Sequence, residues 1–184
     1  APRLQFLSEI DNGRDSTPVV AVGIDPAADE SVFSLRRYLT EGGFGKQGIV
    51  LGASLMKDLG LVLGDTVNIT FRDVNRQFVS LELSVSGIIN SPYGKVNGDT
   101  VYLNLDEARE GLGTAGVSEI AVMTSIPVED LDELKRFVRS LEQKVPGFLF
   151  DRWDQQNREL LGAMKMDEIF AAVFSFFIIL IGGI

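Results

Sequence analysis

Cysteine and histidine are both missing from the 184-residue chain. Without cysteine there is no disulfide stapling, no thiol catalysis and no zinc–thiolate site. Without histidine the usual general base at neutral pH, the commonest transition-metal ligand and every imidazole-dependent triad are gone. An enzyme built on this sequence would work with carboxylates, lysine or tyrosine alone. Positive charge is also scarce, with 17 Lys and Arg against 26 Asp and Glu and a net charge of −9. The arginines (Arg36, Arg37, Arg72, Arg76, Arg136 and Arg139 among them) form no stripe. Binding a phosphate backbone needs clustered cations, so a polynucleotide surface is excluded. The opening "APRLQFLSEI" lacks a signal-peptide pattern and starts on strand-like residues. Both ends of the chain therefore read as cut.

What is present is a mixed pattern of strands and helices. Leu4 to Ile10 and Val19 to Ile24 read as strands joined by the turn signal "DNGRD". Asp25 and Pro26 open a predicted helix whose face would carry Val32, Leu35, Tyr38 and Leu39. After the glycine-rich "EGGFGKQG", a short buried strand (Ile49 to Leu51) leads into a helix with Leu55, Met56 and Leu59 inward, ended by Gly60. A strand starts at Val67 and reverses at "RDVNR". The return, "VSLELSVSG", alternates strictly, with Val79, Leu81, Leu83 and Val85 on one side, as a half-buried antiparallel strand does. "SPYGKVNGD" reads as a loop, and Val101 to Leu103 as a strand. Asn104 and Glu107 have capping-box spacing before a helix to Leu112. Val117 to Thr124 and "FLF" at 148–150 read as strands. Between them, Leu131, Leu134, Phe137, Val138, Leu141 and Val145 share one face of a helix stopped by Pro146-Gly147. The order predicts an α+β fold of two lobes, a β-rich part inserted between two α/β parts. The boundaries fall at 1–48, 49–115, 116–153 and 154–184.

No motif for chemistry survives inspection. "GGFGKQG" resembles a phosphate loop, but the pattern needs a glycine where Thr40 stands and Ser or Thr where Gln47 stands. "DNGRD" and "VNGDT" lack calcium-loop spacing and are turns. The acidic group Glu129, Asp130, Asp132 and Glu133 opens a helix, where the macrodipole accounts for it. No catalytic, cofactor-binding or metal-ligating residue is expected. The candidate contact residues for a partner or substrate are Arg72, Asn75 and Arg76 at one turn, and Tyr93 and Lys95 in the "SPYGKVNG" connection.

The last sixteen residues, "IFAAVFSFFIILIGGI", carry no charge, no proline and one serine. As a helix they would span about 24 Å against roughly 30 Å of hydrocarbon. Every face of that helix is apolar, including Ile169, Phe170, Phe174, Phe177 and Ile181, so it is read as the start of a transmembrane helix. The flank Asp151–Glu168 holds five acidic and three basic residues, which favours the non-cytoplasmic side. From Asp154 onward no proline interrupts, so one helix is expected to link domain and membrane.

Four segments in order carry a resemblance: "AVGIDP", "GIVLGASLMKDLGLVLGDTVNI", "TVYLNLDEAREGLG" and "DRWDQQNRELLGAMKMDEIFAAVFSFFIILI". Together they resemble the periplasmic core domain of FtsX/MacB-superfamily ABC transporter permeases, and the lipoprotein-releasing LolC/LolE type above all. The resemblance implies a domain between the first and second transmembrane helices of a permease, with a Porter-like lobe from the α/β flanks and a Sabre-like β-rich insertion. It implies an inner-membrane location with this domain outside the cytoplasm, a cytoplasmic ABC ATPase as partner, and a second permease copy or paralogue. It also implies force transmission to a lipoprotein or other envelope protein, without catalysis or cofactor in the domain itself. The LolC type carries a long hairpin insertion near residues 71–80, where this chain has only the tight turn of "FRDVNRQFVS". A MacB-like permease for another cargo, or an FtsX-like regulatory domain that recruits a cell-wall hydrolase, stands as the alternative.

Overall fold

The computed structural model describes residues 1–156. Its strands are β1 (Pro2–Asp11), β2 (Ser16–Ile24), β3 (Leu39–Gly42), β4 (Gly48–Gly52), β5 (Thr66–Arg72), β6 (Phe78–Ile89), β7 (Thr100–Asn104) and β8 (Glu119–Ile120). Its α-helices are α1 (Pro26–Glu30), α2 (Ala53–Asp58), α3 (Gly94–Gly98), α4 (Leu105–Leu112), α5 (Leu131–Lys144) and α6 (Trp153–Gln156). Two compact units result, Ala1–Thr124 and Ser125–Ile184.

In the first unit all the strands share one sheet, ordered β2-β7-β4-β6-β5-β1, and β1 pairs back onto β2. The pairings therefore close a ring. β2–β7 and β4–β6 are parallel, and the remaining ring pairs are antiparallel. β8 extends the start of β1, and β3 joins the far end of β6. Strands from residues 1–48 and from 49–115 thus contribute to one sheet.

Alternation along the strands divides the apolar residues between two faces. Ala21, Ile49, Leu51, Val67, Ile69, Leu83, Val85, Val101 and Leu103 belong to the larger core, closed by Leu55 and Met56 of α2 and Leu105 and Ala108 of α4. The opposite positions, Val22, Ile24, Val50, Ile89 and Tyr102, form a second cluster covered by Leu35, Tyr38, Leu39 and Phe44. Strands buried on both faces need continuous apolar runs, which explains "VVAVGI" and "GIVLG". A bulge interrupts β6: Ile49 pairs with Val85 but Val50 with Gly87, leaving Ser86 as the extra residue. Beyond it the parity changes, so that Ile88 packs on the first cluster and Ile89 lies in the second.

Several local expectations need correction. The helix opened by Asp25 does form, its carboxylate accepting from Ala27 N and Ala28 N, but it ends at Glu30. Ser34 then takes a left-handed φ of 50° and Leu35–Tyr38 form a 3-10 turn. Leu35, Tyr38 and Leu39 still reach one cluster, through that turn and β3. "SPYGKVNGD" contains α3, and the strand expected over Val117–Thr124 is only β8. "FLF" is not a strand, and Phe148 and Leu149 are exposed. Asn104 caps α4 through Asp106 N, whereas Glu107 accepts from Gln47 N and closes no capping box.

In the second unit Asp130 caps α5 by accepting from Glu133 N at 2.8 Å. Arg152 donates from Nε and Nη2 to the two oxygens of Asp154 at 2.9 and 3.0 Å, which holds that carboxyl below its usual range. α6 begins where the linking helix is expected. The rest of that helix and the expected span, with Ile169, Phe170, Phe174, Phe177 and Ile181, lie outside the described residues. Among the described residues no helix is long and apolar enough to cross a membrane.

Candidate functional site

The β5–β6 hairpin is built around Asp73. Its Oδ1 accepts from Asn75 N (2.9 Å) and Gln77 N (2.7 Å), and its carbonyl accepts from Arg76 N (2.9 Å). Such Asx-type bonds fix a tight reversal, with Arg76 in the left-handed region at φ 64°. The turn docks on α4, where Leu112 O accepts from Val74 N at 3.1 Å.

The expected contact residues Arg72, Asn75 and Arg76 come together here, all exposed. Two apolar side chains that the sequence reading missed join them. Phe78 is 72% and Val74 60% exposed. Arg72 lays its guanidinium over the Phe78 ring, 4.5 Å from the centroid. The tip thus combines cationic groups with uncovered apolar surface, a composition that contacts partners rather than performs chemistry. One signal for Phe78 was legible: it falls in phase with Ser80 and Glu82, on the polar side of the alternation.

Tyr93 and Lys95 are elsewhere. Tyr93 is the N-cap of α3 and Lys95 lies within it; the side chain of Asn97 holds this segment, accepting from Ser91 N (2.8 Å) and donating to Ser91 O (2.5 Å). Tyr93 is 65% exposed. The turn precedes β6 and α3 follows it, so twelve residues of strand, about 40 Å of contour, separate the two groups. They do not form one site.

A third feature is an open cleft of about 580 Å³, lined by Asn12, Arg14, Asp15, Lys57, Asp58 and Asp65 among others. Asn12 Nδ2 donates across it to Leu59 O at 2.7 Å. Its lining mixes basic Arg14 and Lys57 with acidic Asp15, Asp58 and Asp65. Among the described residues no cluster of three or more acidic side chains could hold a metal ion.

Comparison with known proteins places this architecture. Residues 1–141 match the family described as the MacB-like periplasmic core domain. The fold is similar to the extracellular domain of the noncanonical ABC-type transporter YknZ from Gram-positive bacteria, with a TM-score of 0.54 and 16% identity over 78% of this chain and 73% of that one. The periplasmic region of MacB from Actinobacillus actinomycetemcomitans aligns with a TM-score of 0.47 and 15% identity over 77% and 66% of the two chains. No curated protein matches. The chain belongs to the MacB-like periplasmic core domain family, the periplasmic domains of MacB/FtsX-type ABC transporter permeases.

Proposed function

We propose that this domain transmits ATP-driven movement from the inner membrane to a substrate outside it, and that the hairpin tip makes the contact. The observation that carries the reading is the closed ring. Each of its strands is bonded on both sides over part of its length, so a displacement entering at one point passes through with little internal yielding. In this reading residues 1–48 and 116–153 are the Porter-like lobe, and 49–115 the Sabre-like lobe. The strands shared between 1–48 and 49–115 support joint movement of those two parts, and 154–184 form the link to the membrane. ATP is hydrolysed by a separate cytoplasmic ATPase, and a second permease copy or paralogue completes the transporter. The domain itself is non-catalytic and needs no cofactor.

Release of a lipoprotein towards the outer membrane is one cargo consistent with the resemblance to the LolC/LolE type. The short hairpin favours a MacB-like permease for another envelope protein. The FtsX-like alternative, recruitment of a cell-wall hydrolase, would use the same exposed tip. Asn75→Ala with Arg76→Asn tests the tip, because asparagine tolerates the left-handed backbone at 76. In membranes holding the permease and its ATPase, basal hydrolysis is expected to stay within about twofold while cargo release falls roughly tenfold, as for loss of a small contact hot spot. Release equal to wild type at equal membrane levels would rule the tip out. Co-purification of a hydrolase with wild type, lost in the variant, would move the reading to the regulatory alternative.

A further inference from the structure

One row of side chains on the outer face of β1, β5 and β6 is apolar and cationic. Val20 pairs with Leu7 across β2 and β1, and Arg72 with Phe78 across β5 and β6. The β1–β5 ladder ends at Ser8 and Phe71, so its next step sets Leu7 beside Arg72. Directly opposed residues share a face of a sheet, and Val20, Leu7, Arg72 and Phe78 therefore line up across four strands. Val20 is half-buried against the second apolar cluster, whereas Leu7 is 81% and Phe78 72% exposed. In the next row along these strands the polar groups have partners: Ser16 Oγ donates to Glu9 Oε1, and Thr70 Oγ1 to Ser80 Oγ. Arg72 has the face of the Phe78 ring. Among the described residues no carboxylate stands at ion-pair distance from Arg72, or from Arg76 at the turn.

The carboxylates around this row are engaged elsewhere or set back from it. Asp73 is occupied by the turn, and Glu9 by Ser16. Glu82 lies four residues from Phe78 along β6, and Glu119 pairs with Arg3, four residues from Leu7 along β1. Four residues of strand are about 13 Å. α4 follows the other edge of β6, where Gly111 meets Leu81. On that helix Asp106 pairs with Arg109, Glu107 accepts from Gln47 N, and Glu110 is exposed. The surface is cationic at its centre and acidic around its rim.

Spacing and charge together select the occupant. Neighbouring strands lie about 4.8 Å apart, so Leu7 and Phe78 are about 10 Å apart with Arg72 between them. On one face of an α-helix, residues i and i+7 are about 10.5 Å apart, and i+3 and i+4 fall between them. We infer that this face docks an amphipathic helix of an extracytoplasmic protein, laid across the strands. Its apolar side chains at i and i+7 rest on Leu7 and Phe78, and Asp or Glu at i+3 or i+4 meets Arg72. The acidic rim asks for basic groups at the ends of that helix. A bilayer surface fits less well, because a layer of anionic headgroups would lie against the acidic rim as well as the cationic centre. The inference rests on the reading of the β5–β6 hairpin as the contact region, and it extends that region to Leu7 on a different strand.

The test uses the full chain in lipid nanodiscs and a stapled, dye-labelled helix as probe. The probe carries Leu at i and i+7, Glu at i+3 and i+4, and Lys at both ends. It is expected to bind roughly tenfold more tightly than a counterpart with Lys at the two central positions. Leu7→Glu and Arg72→Glu should each weaken binding roughly tenfold, as for loss of a contact hot spot. Both positions are exposed, so the fold is expected to tolerate them. Val62→Glu, at a 63% exposed position on another turn, should change binding by less than about twofold. Arg72→Glu should bind the Lys-centred helix more tightly than wild type does, a reversal that general adhesion of the probe would not produce. Asn75→Ala with Arg76→Asn leaves Leu7, Arg72 and Phe78 in place. Wild-type cargo release by that variant removes the tip reading alone, provided Leu7→Glu still weakens the probe. Equal affinity of wild type and Leu7→Glu for the probe overturns the docking face, whatever the tip variant does. The chain has no cysteine, so a dye on Gln5→Cys reports from beside the row. Its quenching by nitroxide-labelled phosphatidylglycerol without the probe would assign the face to the bilayer, and also overturns the proposal.

Discussion

Arg3 and Asp29 form a buried ion pair, with 7% and 2% of their surfaces exposed. Arg3 donates from Nε (2.9 Å) and Nη2 (2.5 Å) to the single oxygen Oδ1, and its guanidinium lies 3.4 Å from the Phe33 ring centroid. Among the described residues Asp29 Oδ2 has no hydrogen-bond partner. The pair is thus incompletely compensated for its burial, and removing one member strands the other. Asp29→Ala is expected to destabilise the fold by about 3–5 kcal/mol, read from the urea midpoint. A loss below about 1 kcal/mol would mean that water reaches Arg3 and that the pair is not a buried one in solution. Tyr102 stands in the same field. Burial pushes its phenol above the ordinary 10.0, with Arg3 pulling it down and Asp29 pushing it further up. A group that holds its proton more tightly when folded contributes stability that is fully present below the unfolded value and is lost as pH rises through the folded one. Wild-type stability should therefore fall from about pH 10 upward. Tyr102→Phe removes this component while leaving the other two tyrosines, so the difference between the two melting temperatures isolates it. That difference should be flat below about pH 9 and shift against wild type above about pH 10. A constant difference up to about pH 11 would contradict the assignment.

Helix α4 meets β2 at a residue without a side chain. A Cβ at Gly23 would lie 2.5 Å from Ala108 Cβ and 3.4 Å from Leu105 Cα, so this glycine allows the helix to seat on the sheet. Gly23→Ala is expected to cost about 1–3 kcal/mol through overpacking, and Ala108→Gly about 1 kcal/mol through lost helix propensity. Because the second change makes room for the first, the double variant should be less destabilised than the sum. Additive losses in denaturant titrations would show that the two positions do not touch. At this scale much was legible in the sequence. The alternation of Val79 to Val85 marks β6 because a half-buried strand must repeat every two residues, and Asp25-Pro26 marks the start of α1. The bulge at Ser86 left no signal, since adjacent serine and glycine carry no periodicity. The spacing of Val32, Leu35, Tyr38 and Leu39 imitates a helix because a 3-10 turn followed by a strand presents side chains at similar intervals. At the candidate site the turn itself was readable from Asp73 and Asn75. Its docking onto Leu112 and the stacking of Arg72 on Phe78 depend on tertiary placement and were not.

Ring closure belongs to the whole molecule and was hidden for the same reason. The hairpins β1–β2 and β5–β6 are local, but β1–β5, β2–β7 and β4–β7 join segments far apart in sequence, and no short window of residues encodes them. Each remote pairing also supports the others, because a ring with one seam opened exposes the apolar interior of all its strands. Residues 1–124 should therefore behave as one cooperative body despite the sequence-level division at 48 and 115. A chain ended after Thr124 is expected to unfold in a single urea transition, with the same midpoint by far-ultraviolet circular dichroism and by tyrosine fluorescence. Refolding should fall in the millisecond-to-second range typical of non-local β topologies. The sole tryptophan, Trp153, lies beyond the cut, so tryptophan emission in the full chain follows the second unit separately. Two resolved transitions in the shortened chain would mean that residues 1–48 and 49–115 fold as separate lobes, and that the shared sheet does not couple them.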